Sequence, residues 1–169
     1  MTLRTQRLIL RAARQTDLDD LFAIYSNPDA MRYWSTAPHE SRDVTQEILD
    51  RMIAAAQDQL VYFMFEQGGK VIGMGGMHKP NEVGFLLHPD HWRKGYAQEA
   101  MRAIIPYLFR ETDAPELTAD ADPNNAASVG LLTALGFRET HRAKNTFFIN
   151  GVWSDSVYFA LSRQAGQHA

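Results

Sequence analysis

The sequence predicts an α/β protein in which helices cover both faces of a mixed sheet of about seven strands. Three observations predict this fold class. Segments with helical apolar spacing lie between short runs rich in branched and aromatic residues, in the order β, α, α, β, β, β, α, β, α, β, β. Apolar residues make up 45% of the 169 residues, which is enough for a core. Turn-forming residues separate the strand-like runs.

The first 60 residues predict one strand and two helices. Residues 7–13 form a short apolar-rich run that is typical of a strand. Thr16 is expected to cap a helix whose apolar residues recur at helical spacing until Pro28. Ser41 or Asp43 is expected to cap a second helix, after a loop with exposed aromatic residues.

The middle of the chain predicts an antiparallel meander of three strands followed by a helix. Between residues 60 and 88, runs rich in Val, Phe, Ile and Tyr are separated by turns that contain Gly or Pro. The glycine-rich run 73–77 lies inside a strand, so we expect close packing or a bulge there rather than a dinucleotide-binding turn. A helix is expected from Gly95 to about Arg110, and Pro106 predicts a bend or an early end of that helix.

The last third of the chain predicts a strand, a helix and a closing hairpin. Residues 116–121 alternate as in a strand, and the helix that follows them is expected to end at Gly136. Two final strands, around residues 137–148 and 152–161, are joined by Asn150-Gly151. This dipeptide is the strongest short signal for a two-residue hairpin loop.

Composition restricts the function. A net charge of −3 disfavours bulk nucleic-acid binding. The absence of cysteine excludes disulfides, thiolate metal sites and a covalent cysteine intermediate. We expect no signal peptide, and no apolar run approaches the roughly 20 residues that a membrane helix needs. With no repeat or linker, the chain is expected to form a single cytoplasmic domain over residues 1–169, a monomer or a homodimer that binds neither nucleic acid nor membrane.

The segment from Arg93 to Gln98 predicts an anion site. It opens a helix, and a helix N-terminus carries unpaired N–H groups and about half a positive charge. Gly95 has no Cβ, so a bulky anion can approach the backbone, while Arg93 and Lys94 add formal charge. One alternative is a solvated basic turn before an ordinary helix. Another is binding of ATP, although the Walker motif of nucleoside triphosphatases is absent.

Residues 92–97 are WRKGYA, residues 125–128 are NAAS, and LGF follows at 135–137. In this order these motifs resemble the two signatures of the GCN5-related N-acetyltransferase (GNAT) family. Trp92 stands where the first signature usually has Gln or Arg. The opening TQRLILR and the closing NGVWSD also resemble the branch that acetylates ribosomal-protein N-termini. The resemblance covers nearly the whole chain.

The resemblance implies a GNAT fold, in which two central parallel strands of a mostly antiparallel sheet splay apart and hold acetyl-CoA. The strand over residues 83–88 would offer backbone groups around Leu86 and Leu87 to the pantetheine. Asn125 would bind the cofactor from the second motif. The diphosphate would be bound by Arg93, Lys94, Gly95, Tyr96, Ala97 and Gln98.

The resemblance also implies direct transfer of the acetyl group to an amine in a ternary complex. A backbone N–H near Leu87 would stabilise the oxyanion. Ser128 would protonate the departing thiolate, although its hydroxyl could instead cap a helix. Leu132 and Phe147 stand where relatives have a tyrosine acid and a glutamate base. Glu82 is our candidate for the base, with a polar strand end as the alternative.

Three aromatic residues, Tyr33, Trp34 and Trp153, are candidates for the acceptor pocket, although exposed aromatics can also cover a core or contact a second copy. Residues 88–91 (HPDH) contain possible metal ligands, but no third ligand group accompanies them and we expect no metal. The sequence thus predicts an acetyl-CoA-dependent N-acetyltransferase that acts on a peptide N-terminus or a small-molecule amine. The alternative is a non-catalytic acyl-CoA-binding module.

Overall fold

The computed structural model describes residues 1–166, in which eight strands form one sheet of order β1-β2-β3-β4-β5-β6-β8-β7. The strands are β1 Thr2–Arg4, β2 Ile9–Arg11, β3 Tyr62–Gln67, β4 Lys70–Lys79, β5 Glu82–Leu87, β6 Glu116–Ala121, β7 Arg138–Ile149 and β8 Val152–Ser162. The helices are α1 Leu18–Tyr25, α2 Arg42–Asp58, α3 Tyr96–Glu111, α4 Ala126–Ala134 and α5 Arg163–Gly166. All neighbouring strands are antiparallel except β5 and β6, which are parallel.

The predicted order of elements is confirmed, with one strand more than the seven expected and with a short fifth helix, α5, after the last strand. The additional strand, β1, has three residues and pairs with β2. Three residues are too few to show an alternating period, so the pattern gave no sign of it. Within residues 1–166, no helix is long and apolar enough to cross a membrane.

Two turn predictions are confirmed by positive φ angles. Gly136 follows α4 with φ +93°, the left-handed conformation that ends many helices. Asn150 and Gly151 have φ values of 53° and 77°, and they connect the paired residues Ile149 and Val152. Positive φ at both positions is the signature of a two-residue hairpin loop whose twist matches that of the strands.

The predicted cap of the first helix is wrong. Thr16 lies inside a 3₁₀ turn over Gln15–Asp17, and α1 starts only after that turn. The Asp17 carboxylate accepts a hydrogen bond from the Arg14 N–H at 2.8 Å, so this carboxylate, rather than Thr16, fixes the turn before α1. For the second helix, Ser41 rather than Asp43 occupies the capping position.

The helix α3 does not end at Pro106 but runs on to Glu111. Directly after the proline, the side chains of Tyr107, Leu108 and Phe109 are buried in the core. Burial of side chains of this size contributes about 1.5–3 kcal/mol each. An internal proline costs about 3 kcal/mol, so packing outweighs it and the early end is the wrong alternative.

Two apolar layers hold the helices against opposite faces of the sheet. One layer joins α3 and α4 to the face that carries Val83 and Leu87. The other joins α1 and α2 to the face that carries Leu86. The glycines of β4 confirm the expected close packing, since a Cβ on Gly73 would lie 2.6 Å from the Leu86 carbonyl oxygen.

The sheet is nearly divided between β5 and β6. Their register contains one residue pair, Glu82 with Thr118, whereas β6 and β8 pair along six residues. The Thr118 N–H donates to the Asn81 carbonyl at 2.7 Å, at the same end of the strands. Beyond this contact the two strands diverge, which confirms the expected splay.

Candidate functional site

The edge of β5 that faces β6 carries backbone groups that no strand within residues 1–166 pairs. The His88 N–H donates to the Ile72 carbonyl of β4, while the Asn81 carbonyl accepts from β6. Since successive residues of a strand direct their N–H and C=O groups to opposite sides, the odd-numbered residues face the gap. They are Val83, Phe85 and Leu87. Leu86 is paired with Met74, and the same alternation turns its backbone toward β4.

The loop after β5 is tied back onto that strand. The Trp92 indole N–H donates to the Leu87 carbonyl at 3.0 Å, and the Lys94 ammonium donates to the Asp90 carbonyl at 3.0 Å. The residue that departs from the expected signature therefore has a structural task, since Trp92 fixes the loop at the end of β5. The Leu87 N–H stays available to the gap.

At the start of α3, six consecutive backbone N–H groups point to no protein acceptor. The first helical hydrogen bond is from the Glu99 N–H to the Gly95 carbonyl at 3.0 Å. None of the N–H groups from Arg93 to Gln98 donates to an acceptor within the described residues. Arg93 and Gly95 have φ values of 60° and 79°. Left-handed residues in a turn of this kind let successive N–H groups converge on an anion.

The side chains of this segment do not all face the same surroundings. Arg93 is exposed, whereas the Tyr96 ring is buried and its hydroxyl is hydrogen-bonded by Gln67. Ala97 and Gln98 are partly exposed on the first turn of α3. Tyr96 therefore offers the site its backbone only, while its side chain anchors the helix.

Arg7 and Glu99 brace this helix start, and the sequence patterns had not singled them out. The Glu99 carboxylate accepts from the Arg7 backbone N–H at 2.8 Å, from Arg7 Nε at 2.7 Å and from Thr5 Oγ1 at 2.5 Å. Arg7 Nη1 donates to the Lys94 carbonyl at 2.8 Å, and the Arg7 guanidinium lies 4.2 Å from the centre of the Tyr96 ring. Partners 87 and 92 positions apart leave no local pattern.

Asn125 and Ser128 hold each other at the start of α4. Asn125 occupies the capping position, and its side-chain oxygen accepts the Ser128 N–H at 3.2 Å. The Asn125 amide nitrogen donates to Ser128 Oγ at 2.9 Å. Asn125, not Ser128, is thus the cap. Because the serine oxygen accepts a hydrogen bond, its own proton remains available to a ligand.

Glu82 belongs to a cluster of titratable groups on the three strands at the closed end of the gap. Its carboxylate lies 3.1 Å from His78 Nε2 and 3.6 Å from Lys79 Nζ. Burial lowers the pKa of His78, which favours the neutral imidazole. Burial and the Glu82 charge raise the pKa of Asp120 on β6. His78 was not predicted, because its partner lies across a turn of β4 and β5.

Glu82 also lines an open cleft of about 550 Å³. Polar residues of β6, β7 and β8 line it as well, among them Glu116, Thr118, His141 and Tyr158. The His141 and Tyr158 rings stack with their centres 4.4 Å apart. A cleft of this composition can accept a cationic group beside the carboxylates.

The three predicted acceptor aromatics do not line this cleft. Tyr33 and Trp34 lie between α1 and α2, where Trp34 packs against the α1–α2 core and Tyr33 is partly exposed. Trp153 is exposed on the β7–β8 hairpin, with its ring 4.9 Å from that of Phe148. It lies four residues beyond Val157, the last β8 residue paired with β6, or about 13 Å along the strand. The structure therefore does not bring the three residues together.

The histidine-rich turn before α3 is organised by its own contacts. His88 Nδ1 accepts the Asp90 N–H at 3.1 Å, and the His91 N–H donates to the His88 carbonyl at 3.0 Å. Among residues 1–166, no group of three His, Cys, Asp or Glu side chains is arranged to hold a metal ion.

Taken from one end to the other, the gap fits a long ligand with an anionic end. The free edge of β5 can pair with the amides of a thin chain, as an added strand would. The row of N–H groups at α3 suits a diphosphate. Acetyl-CoA has both parts in this order, so the donors present fit it.

Comparison with known proteins shows that this chain matches one family model and that several solved structures have a similar fold. The family model described as acetyltransferase (GNAT) domain matches residues 7–138. An N-acetyltransferase of Bacillus licheniformis, p20, is 28% identical and is aligned over 96% of this chain and 97% of its own. A spermidine N-acetyltransferase from Vibrio cholerae, solved with CoA and spermine, is 25% identical with a TM-score of 0.82, covering 95% and 98%. A ribosomal-protein-S5-alanine acetyltransferase from Vibrio fischeri, 20% identical with a TM-score of 0.82 over 96% and 97%, shares the fold.

Proposed function

Because the chain belongs to the GNAT family and is therefore an N-acetyltransferase, we propose that it transfers the acetyl group of acetyl-CoA directly to a primary amine. Direct transfer agrees with the absence of cysteine, the most nucleophilic side chain for a covalent route. The amine nitrogen bonds to the acetyl carbon, the carbon–sulfur bond breaks, and one proton moves from the nitrogen toward the sulfur. Each residue of the gap is assigned to the step of this reaction that it can assist: removal of the amine proton, stabilisation of the negative oxygen, or protonation of the sulfur.

The observation that carries the proposal is the continuity of unpaired donors along the gap. Val83, Phe85 and Leu87 present backbone groups to the side of β6, and the N–H groups from Arg93 to Gln98 continue the row into α3. We assign the amide-rich arm of acetyl-CoA to the strand and its diphosphate to the helix start. Asn125 and Ser128 lie at the start of α4, immediately after β6, and would contact the cofactor from the opposite side.

Within this assignment, Glu82 is the final acceptor of the amine proton. It lies five residues from Leu87 on β5, about 16 Å along the strand, so the proton reaches it through a chain of water molecules. Glu82 starts β5, where the gap closes, and it opens onto the cleft. His78 Nε2 lies 3.1 Å from the Glu82 carboxylate, and burial lowers the pKa of His78, so the imidazole stays neutral and the proton remains on Glu82. An α-amine has a pKa of about 7.7–8.0, so a weak base suffices, whereas an alkylamine near 10.4 needs more assistance.

We assign Leu87 and Ser128 to the other two charge changes, which occur on the carbonyl oxygen and on the sulfur. The unpaired Leu87 N–H is the donor that we assign to the oxygen on which negative charge develops. Ser128 offers its proton to the departing sulfur, because the Asn125 amide already satisfies the serine oxygen. A thiol pKa of about 8.5 means that a hydrogen bond from a hydroxyl is enough there.

The acceptor is a primary amine that enters through the cleft beside Glu82. Two carboxylates, Glu82 and Glu116, line the cleft, so cationic amines are favoured. Spermine is bound by the V. cholerae enzyme, and this chain shares its length and fold. Di- and polyamines are therefore candidates alongside peptide N-termini.

The test is release of CoA from acetyl-CoA in the presence of a panel of amines. The panel contains spermidine, spermine, amino acids, aminoglycosides and short peptides with free N-termini. We expect turnover with at least one amine and an acetylated product of +42 Da by mass spectrometry. Binding of acetyl-CoA without release of CoA for any amine would instead support the acyl-CoA-binding alternative.

A further inference from the structure

We propose that Arg7 is a positioning residue of the diphosphate site, at which it neutralises Glu99 and fixes the peptide between Lys94 and Gly95. This inference rests on the proposed function, since it assigns a residue to the acetyl-CoA site. Arg7 lies outside both signature motifs, in the segment between β1 and β2. Its contacts with the start of α3 carry the inference.

The first step concerns the charge of Glu99. Burial of this carboxylate opposes ionisation, but hydrogen bonds from Thr5 and Arg7 outweigh it and lower the pKa of Glu99. An ionised carboxylate one turn into α3 would repel an anion at the helix N-terminus. The Arg7 guanidinium binds this carboxylate at 2.7 Å and cancels its charge where a diphosphate would bind.

The second step concerns the geometry of the loop. Arg7 Nη1 holds the Lys94 carbonyl at 2.8 Å, and a peptide group is planar. The orientation of that carbonyl therefore fixes the direction of the Gly95 N–H, one of the six N–H groups of the site. Arg7 is itself held by stacking on the buried Tyr96 ring, so the loop is fixed to the core.

The third step concerns Nη2, the hydrogen-bond donor of Arg7 that remains unused among the described residues. Nη2 makes no hydrogen bond to residues 1–166. It lies 3.5 Å from the position that a Cβ on Gly95 would take. One arm of the guanidinium thus stands beside the glycine at which an anion would approach the backbone, and the side chain is 38% exposed.

The experiment compares two acetyl donors in the Arg7→Ala protein. Acetyl-CoA carries the diphosphate, and S-acetylpantetheine lacks it. We expect kcat/KM to fall about 10- to 100-fold with acetyl-CoA, as for loss of hydrogen bonds to a charged group, but less than about threefold with S-acetylpantetheine. Calorimetry should show the same fold-change in the Kd of CoA. An equal fall with both donors, or no fall with either, overturns the proposal.

Two further variants separate charge from folding. Arg4→Ala removes a neighbouring exposed arginine whose side chain makes no hydrogen bond to the described residues, and it should leave the activity with both donors unchanged. In the Arg7→Ala/Glu99→Gln protein the uncompensated carboxylate is gone, so CoA binding should recover about three- to tenfold over Arg7→Ala. No recovery would contradict neutralisation of Glu99. A wild-type protein that binds no CoA would refute the proposed function itself.

Discussion

Glu82 and Glu116 line the same cleft, but within residues 1–166 only Glu82 is paired with a histidine, His78. We expect Glu82→Gln to lower kcat about 100-fold or more, since a positioned general base contributes about 10²–10⁴-fold. The Kd of acetyl-CoA should stay within about twofold, because the amide keeps the size of the side chain. Steady-state kinetics and calorimetry measure the two quantities.

Glu116→Gln is the matched control, because it removes a carboxylate from the same cleft without touching the His78 pair. It should raise the KM of a cationic amine and leave kcat nearly unchanged. If both variants lowered kcat equally, the cleft would need its total charge and Glu82 would have no special part.

At the scale of residues, the sequence singled out those groups of the candidate site that are local in the chain. Residues 93–98 and Asn125 are found within short motifs, and the structure places both at helix starts. The sequence did not predict Arg7, Glu99 or His78. Arg7 and Glu99 are 92 positions apart, and no spacing rule covers such a pair, whereas His78 meets Glu82 across the turn between β4 and β5.

A buried ion pair joins β2 to the 3₁₀ turn that precedes α1. Arg11 and Asp17 are buried and form two hydrogen bonds of 2.8 and 2.9 Å, while Glu66 of β3 pairs with the same guanidinium. Asp17→Asn should destabilise the fold by about 3 kcal/mol, at the low end for a broken buried pair because Glu66 remains. Thermal unfolding should then occur about 6–12 °C lower.

Asp19→Asn is the control on the neighbouring turn. Its carboxylate is 82% exposed in the pair with Arg42, so its loss should cost about 0–1 kcal/mol. Similar losses for both variants would mean that the Arg11 pair contributes no more than a surface pair.

At the scale of elements, the sequence predicted type and order better than bounds. Turn chemistry was decisive at Gly136 and at Asn150-Gly151, because few residues adopt positive φ. Local rules failed at Pro106, where three buried side chains outweigh the proline, and at Thr16, where Asp17 is committed to Arg11. In both places tertiary contacts decided the outcome.

For the whole molecule, a ligand that binds only the folded state raises its stability. Acetyl-CoA at 100 times its Kd should add about 2.7 kcal/mol, or about 5–11 °C in Tm for a chain of this length. ATP at the same concentration should give a smaller shift, because it has no chain to pair with β5. A larger shift with ATP would favour the nucleotide-binding alternative for the loop.

Gly95→Val should abolish this shift, because a side chain at the helix start blocks the approach of the diphosphate. Gly151→Val is its control, since Gly95 and Gly151 have φ values of +79° and +77° and nothing lies within 4 Å of a Cβ on Gly151. Both variants should lower Tm through backbone strain, yet only the first should lose the response to acetyl-CoA.

The parted strands β5 and β6 bear on aggregation as well as on binding. An unpaired strand edge is normally a hazard, because the edge strand of another protein molecule can pair with it. Here the free edge of β5 lies in the interior of the sheet, with β6 joined to it at Glu82 and Thr118. Because α3 packs on one face of the sheet and α2 on the other, we expect another protein's strand, which carries side chains on both faces, to collide with these layers before it reaches that edge. A thin, flexible ligand does not, so the fold keeps an open edge for small molecules while shielding it from other polypeptides.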